Sequence, residues 1–249
     1  MRSVVVATQQ NPIDAAFAGN QLLSTFAPEA RGLLEPFGSV IELATGDAVL
    51  RRGEQVRSSL FPFGPTMVSM VVELSGRSVE VASVGREGAI GGIVSCGHAP
   101  AFSLGRVQVA GPALELPMSA LEDAKQASPF ISNIFCRYSD YLLAQVMQSV
   151  ACNAFHSIAE RAARWLLTAQ DRAGDRLELT QEALAGLLGV QRTTINAVIA
   201  SLEAEGLIAS SRGSVRVLSR SGLKARACPC YSSLQEHYSA VIGKSGKGG

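Results

Sequence analysis

The most constraining stretch of this chain is Thr180–Leu218, TQEALAGLLGVQRTTINAVIASLEAEGLIASSRGSVRVL, which reads as helix, tight turn, second helix and short hairpin. Thr180 is placed to cap the first helix, with Glu182 in its positive first turn. Leu184, Leu187 and Leu188 recur at helical spacing, Ala185 is small where two helices must cross, and Gly189 stands where the chain must turn sharply. Val190, Ile195, Val198 and Leu202 return to the core, leaving Gln191, Arg192, Thr193, Thr194, Asn196 and Ala197 on the outer face. One guanidinium and several short hydrogen-bonding groups near a helix N-terminus suit the major groove of DNA. Leu207-Ile208, the turn Ser210-Ser211-Arg212-Gly213 and Val215–Leu218 read as a wing that carries Arg212 and Arg216 beside the phosphates. The candidate DNA contacts are therefore Thr180, Gln191, Arg192, Thr193, Thr194, Asn196, Arg212 and Arg216. From Val190 to Arg226 six basic residues stand against two acidic ones, whereas the whole chain has a net charge of +1, so any DNA-attracting potential is local.

Ahead of this unit the hydrophobic period changes. Residues 1–18 read as a flexible arm, and Gly19–Pro36 as two short helical turns. From Phe37 the period shortens toward two, with strands expected at Ser39–Leu43, Ala48–Arg51, Ser58–Phe63, Met67–Leu74, Arg77–Val84, Phe102–Ala110 and Ala113–Pro117. Gly and Pro punctuate them, and Ser75-Gly76 is the best hairpin turn. Many short strands of this kind indicate a jelly roll or sandwich over 19–128. Pro129 then opens a long helix, 129–153, apolar around so much of its circumference that it must be covered on two sides. One side meets its own sandwich, and the other is a seam for a second copy. The seam is assigned to Ile131, Ile134, Phe135, Tyr138, Tyr141 and Leu142. Asn153–His156 is the expected hinge into residues 154–241, a winged helix-turn-helix with an appended helix at Ser221–Val241. Residues 242–249 read as a disordered tail. The fold class is α+β.

Composition excludes several alternatives. At 249 residues and 47% hydrophobic, the chain can bury a substantial core, and its two long uncharged runs are interrupted by polar or turn residues. The N-terminal apolar run is short and ends in Gln-Gln-Asn-Pro, so no signal peptide and no membrane partner are expected, and the localisation expected is cytoplasmic. Five scattered cysteines imply no disulfide framework. Cys228-Pro229-Cys230 supplies half a tetrahedral metal site with no histidine close in sequence, so neither metal nor cofactor is expected. A metal-dependent cupin needs several converging ligands, yet only His98 lies in the jelly roll. No nucleophile elbow appears, and no catalytic residue is assigned. The remaining rival is a ligand-gated or protein-interaction module whose wing merely packs.

The order of parts resembles the Crp/Fnr superfamily of bacterial transcription regulators. The sharpest motif is LTQEALAGLLGVQRTTINAVIASLEAEGLI, and a subgroup is suggested by SVEVASVGREGAIG, ACNAFHSIAERAARWLL and ACPCY. The resemblance implies a cyclic-nucleotide-binding-like jelly roll, a homodimer on palindromic double-stranded promoter DNA, and contact with RNA polymerase. It places Arg192 on the family's base-reading arginine. Thr193 stands where glutamate is frequent and Ala197 where arginine is frequent, so the half-site of the cyclic-AMP receptor protein is not expected. The phosphate cassette falls on Gly88-Ala89-Ile90-Gly91-Gly92, with Gly92 at the glutamate position and Ser103-Leu104 at the later pair. Gly91, Gly92, Ser103 and Arg106 thus mark a degenerate effector pocket. With no certain cation for a cyclic phosphate, regulation independent of cyclic AMP is expected, and the effector is unknown. Residues 1–95 lack the cysteine cluster of an Fnr-type iron–sulfur sensor, and Cys96 with His98 is a weak haem site.

Overall fold

The structure, a computed structural model, describes residues 11–92 and 99–243. Cys96 and His98, and with them the haem reading, lie outside the described residues. The first element is α1 (Pro12–Gly19), where Asn11 Oδ1 accepts from Ile13 N and Pro12 takes a first-turn position. It corrects the expectation of a flexible arm through residue 18, because Ala16 and Phe17 are buried in the same apolar cluster as Leu114 and Leu116. The short α2 (Pro28–Gly32) follows.

Seven strands come next: β1 (Ser39–Leu43), β2 (Ala48–Leu50), β3 (Ser58–Pro62), β4 (Met67–Leu74), β5 (Arg77–Val84), β6 (Leu104–Val109) and β7 (Gly111–Pro117). They form two antiparallel sheets, β1-β7-β3 and β2-β6-β4-β5, the layers of a jelly roll. Leu43, Leu60, Val68, Val84, Ile90, Val107 and Ala113 make one apolar cluster drawn from both layers. Ser75 and Gly76 both take positive φ, 52° and 74°, in a two-residue turn closed by the Leu74–Arg77 pair. That is the hairpin turn whose twist matches its strands. Gly111-Pro112, read from sequence as a turn, instead begins β7 opposite Leu43 and Glu42; a strand's first residues tolerate proline's missing N–H.

After α3 (Met118–Ala127) comes α4 (Pro129–Phe155), with Ser128 Oγ accepting from Ile131 N at 3.4 Å. The residues assigned from sequence to a seam instead face the protomer's own core. Ile131, Ile134, Phe135, Tyr138 and Tyr141 are buried in the protomer's own core, and Leu142 packs against the same cluster. Tyr138 is fixed doubly: its hydroxyl donates to Ala89 O (3.0 Å) and accepts from Ala89 N (2.9 Å). The exposed apolar stripe is one turn further on, where Leu143, Met147 and Val150 are 53%, 62% and 66% exposed. A helix apolar all round does not reveal which face meets its own domain. It also runs past Asn153, so the expected hinge contracts to the extended His156 and the cap Ser157.

The C-terminal part contains α5 (Ile158–Ala173), β8 (Arg176–Leu177), α6 (Gln181–Leu188), α7 (Arg192–Ala204), β9 (Ile208–Ser211), β10 (Ser214–Val217), α8 (Arg220–Arg226) and α9 (Cys230–Val241). Ser157 and Glu160 start α5 with reciprocal capping bonds. Strands β8, β10 and β9 form the small wing sheet. The expected single appended helix is two, broken at Ala227–Pro229, because proline disfavours a helical residue before it. The winged unit shares an apolar cluster with the jelly roll, since Met67 and Val71 join Trp165, Leu166 and Leu184. Trp165 Nε1 also donates to Glu80 Oε2 at 3.1 Å, and burial pushes the Glu80 carboxyl above its ordinary range. Among the described residues no single helix is long and apolar enough to cross a membrane.

Tyr138→Phe strands the buried Ala89 amide without its acceptor. The expected loss is about 1–3 kcal/mol of unfolding free energy, read from urea denaturation.

Candidate nucleic-acid interface

Thr180 Oγ1 accepts from Ala183 N at 3.0 Å, which starts α6. Gly189 ends it at φ 70°, and Val190 N reaches back to Ala185 O at 3.0 Å. This left-handed turn sets α6 and α7 at 112° to each other. Ile195, Ile199 and Leu202 carry α7 into the core. Arg192, Thr193, Thr194, Asn196 and Ala197 remain exposed, with Gln191 exposed at the N-cap. Among the described residues no side chain caps α7, which leaves the positive start of the helix open to an anion or a base edge.

The wing stands beside this face. Gly213 makes the turn at φ 84°, Arg212 projects at the tip, and Arg216 lies on the exposed side of β10. Glu203 Oε1 accepts from Ser210 N at 2.6 Å, tying the wing to α7. A groove of about 490 Å³ brings together Thr180, Arg192, Ser210, Ser211 and Arg212, with Glu182 on one wall. Arg192 Nε rests 3.9 Å from Glu182 Oε2, both side chains exposed, a pair weak enough to exchange for a stronger partner. Of the assigned contacts, the groove gathers Thr180, Arg192 and Arg212, whereas Gln191, Thr193, Thr194, Asn196 and Arg216 lie outside it. Two bases counted into the cationic cluster from sequence are engaged inside the molecule. Arg220 pairs with Asp171 at 2.7 Å and Arg226 with Glu205 at 3.2 Å.

The degenerate effector pocket is not assembled as expected. Along β6 Gly105 and Val107 are buried while Arg106 is exposed, so strand alternation turns that guanidinium away from the sandwich interior. Gly91 sits at φ 121°, and a Cβ there would come within 2.6 Å of Ser58 O. A different cavity, about 330 Å³, opens between β5, α4, α5 and α9, lined in part by Arg86, Glu87, Gln145, Arg164 and Arg172. It contains none of Gly91, Gly92, Ser103 and Arg106. Burial works against the Arg172 charge, but Glu87 more than offsets it and holds the guanidinium protonated.

The fold also assembles a constellation that sequence spacing concealed. Cys152, His156, Cys228 and Cys230 offer ligand atoms that all lie within 4.8 Å of one another. The three cysteines are buried and form a cluster of their own. Cys152 Sγ is 3.6 Å from Cys228 Sγ, and Cys230 Sγ is 3.5 Å from His156 Nδ1. The hydrogen bond from Cys228 draws the Cys152 thiol down to about 5, against the opposing effect of burial. The sequence reading of Cys228-Pro229-Cys230 as half a site with no histidine near is thereby corrected: the end of α4 supplies the other two donors. A signal existed in sequence, since Cys152 and His156 are spaced one helical turn apart.

Residues 160–226 match the profile of the Crp-like helix-turn-helix domain. That stretch is a Crp-like helix-turn-helix domain. No curated protein matches its full sequence significantly. Among solved structures it is similar to FixK2 from Bradyrhizobium japonicum, with 15% identity and TM-score 0.65 over 77% of this chain and 98% of that one. It is also similar to a Crp-family transcriptional regulator from Thermus thermophilus, at 20% identity and TM-score 0.62 over 75% and 96% of the two chains. The cyclic-di-GMP-responsive global regulator CLP of Xanthomonas campestris aligns at 19% identity and TM-score 0.60 over 76% and 97%. At these identities the likeness establishes the fold.

The Crp-like turn depends on a left-handed residue. Gly189→Ala should cost about 1–2 kcal/mol from its positive φ and more from a Cβ placed 3.3 Å from Val79. Gly213→Ala has open space around it and should show only the first effect. Paired denaturation curves separate the two.

Proposed function

We propose that this chain is a Crp/Fnr-type transcription regulator that binds double-stranded DNA as a homodimer, inserting the N-terminal half of α7 into the major groove. The supporting observation is the exposed, uncapped start of α7, with Arg192 sharing one groove with Thr180 and the wing tip Arg212. Arg192, with Gln191, Thr193, Thr194 and Asn196, would face base edges or nearby phosphates. Thr180, Arg212 and Arg216 would hold the phosphate backbone. The second copy would cover Leu143, Val146, Met147 and Val150 of α4, exposed at spacing suited to a two-helix seam. Two recognition helices about one turn of DNA apart would then read a palindrome.

Independence from cyclic AMP is part of the same reading. Its support is the outward Arg106 and the glycine at position 92, which leave a cyclic nucleotide without a cation for its phosphate and without an acceptor for its ribose hydroxyl. A small effector is better matched to the cavity around Arg86 and Arg164, at the junction of sensor and DNA-binding parts. With DNA as its target the protein would work in the cytoplasm, with RNA polymerase the partner at the promoter.

Selection of random duplex DNA by the purified protein, with and without cyclic AMP, should recover one palindrome in both conditions. No enrichment in either would count against the DNA reading. On the selected site Arg192→Ala should lose about 1–3 kcal/mol and relax one base position. Arg212→Ala should weaken all sequences alike and lower the salt slope by about 1. Met147→Glu should shift sedimentation to the monomer and reduce palindrome affinity at least tenfold; an unchanged dimer would place the seam elsewhere.

A further inference from the structure

Four soft ligand atoms converge where three elements meet: the last turn of α4, the residue that follows it, and the link between α8 and α9. Cys152 and His156 come from one helical turn, and Cys228 and Cys230 from the two ends of a proline-stiffened tripeptide 72 residues further on. We propose that Cys152, His156, Cys228 and Cys230 bind a single zinc ion that fastens α9 to the end of α4, beside the break that leads into the DNA-binding part.

Geometry and chemistry both select this ion. A tetrahedral zinc with Zn–S about 2.3 Å and Zn–N about 2.0–2.1 Å holds neighbouring sulfurs about 3.8 Å apart and sulfur and nitrogen about 3.6 Å apart. The corresponding separations are 3.6 Å for Cys152–Cys228 and 3.5 Å for Cys230–His156. A disulfide needs about 2.05 Å between sulfurs, far shorter than this pair. A two-iron cluster would hold its ligands as two pairs set apart by the iron–iron distance, which four donors within 4.8 Å do not accommodate. Three thiolates and an imidazole are the donor set of a closed structural zinc site, with no position left for water or substrate.

The surroundings supply what such a centre requires. Zinc with three thiolates carries one net negative charge, and the Arg161 and Arg164 side chains, each with a buried Nε that finds no hydrogen-bond partner among the described residues, stand within electrostatic reach of Cys152. Gln148 Nε2 donates to Cys230 Sγ at 2.9 Å, the kind of outer bond that orients a thiolate ligand. Cys230 is also the first residue of α9, where the helix dipole favours a negative sulfur.

The site would act as a staple. From it α9 bridges the two parts: Tyr231 bonds Asp171 of α5 and Arg220 of α8, Tyr238 donates to Glu87 O of the jelly roll at 2.8 Å, and Ile242 is buried in the jelly roll's cluster. Arg161 donates through Nη2 to Leu188 O at the end of α6. Metal binding would therefore hold the strap and the helix-turn-helix in one arrangement.

The test is metal analysis of the full-length chain, purified without a histidine tag. One zinc per chain is expected, surviving gel filtration. Cys228→Ser and His156→Ala should each retain less than a tenth of it, whereas Cys136→Ser, altered at an exposed cysteine away from the cluster, should keep it all. If the variants fold poorly, cobalt added to metal-stripped wild-type protein should give the visible bands of a tetrahedral thiolate site, abolished by one equivalent of zinc. Several outcomes would overturn the proposal: five alkylatable thiols with no bound metal, a Cys152–Cys228 disulfide two mass units lighter, iron with acid-labile sulfide, or full zinc in Cys228→Ser. None of these readouts involves DNA, so failure here leaves the DNA reading standing, and failure of that reading leaves this one.

Discussion

The end of α6 depends on bonds that come from outside the helix. An α-helix leaves its last carbonyls without partners, and in an eight-residue helix that is half the peptide groups. Here Gly186 O accepts from Ser78 Oγ at 3.1 Å, Leu188 O from Arg161 Nη2 at 2.8 Å, and Gly189 O from Arg77 Nη2 at 3.2 Å. Two of the three donors belong to β5 of the jelly roll. The turn that aims α7 is therefore completed by the jelly roll, and arginine at this end also complements the helix dipole.

The path from the jelly roll to α7 is therefore short. The β4–β5 hairpin touches the turn directly, and the buried Glu80 on β5 accepts from Trp165 of α5. The cavity between β5, α4, α5 and α9 borders the same interface. A ligand there, or a metal at the base of α9, would alter the seating of the elements that cap α6. The interface is a mixture of a shared apolar cluster and a few directed polar bonds, so it has discrete arrangements rather than a continuous range.

Much of this architecture was legible in the sequence wherever a local rule demands one answer. Thr180, Gly189 and the leucines between them specify a capped helix and a left-handed turn whatever surrounds them. Ser75-Gly76 specifies its hairpin in the same way, because both residues must take positive φ. The face of α4 was not legible: Tyr138 and Met147 are both apolar enough to be buried, and only the position of Ala89 shows that Tyr138 faces inward. The six residues assigned to a seam pack toward the protomer's own core for that reason. Arg106 failed for a related one, since strand alternation needs a register that only sheet pairing supplies.

The helix-turn-helix, the jelly-roll strands and the long helix after Pro129 were thus determined by the sequence alone, because capping, turn chemistry and hydrophobic period act over a few residues. The tertiary structure decided which side of α4 is free, which arginines are already paired, and that Cys152 and His156 meet Cys228 and Cys230. Those outcomes join residues dozens of positions apart. No local rule encodes such distances, and only the packing of the sensor against the winged domain brings the groups within reach.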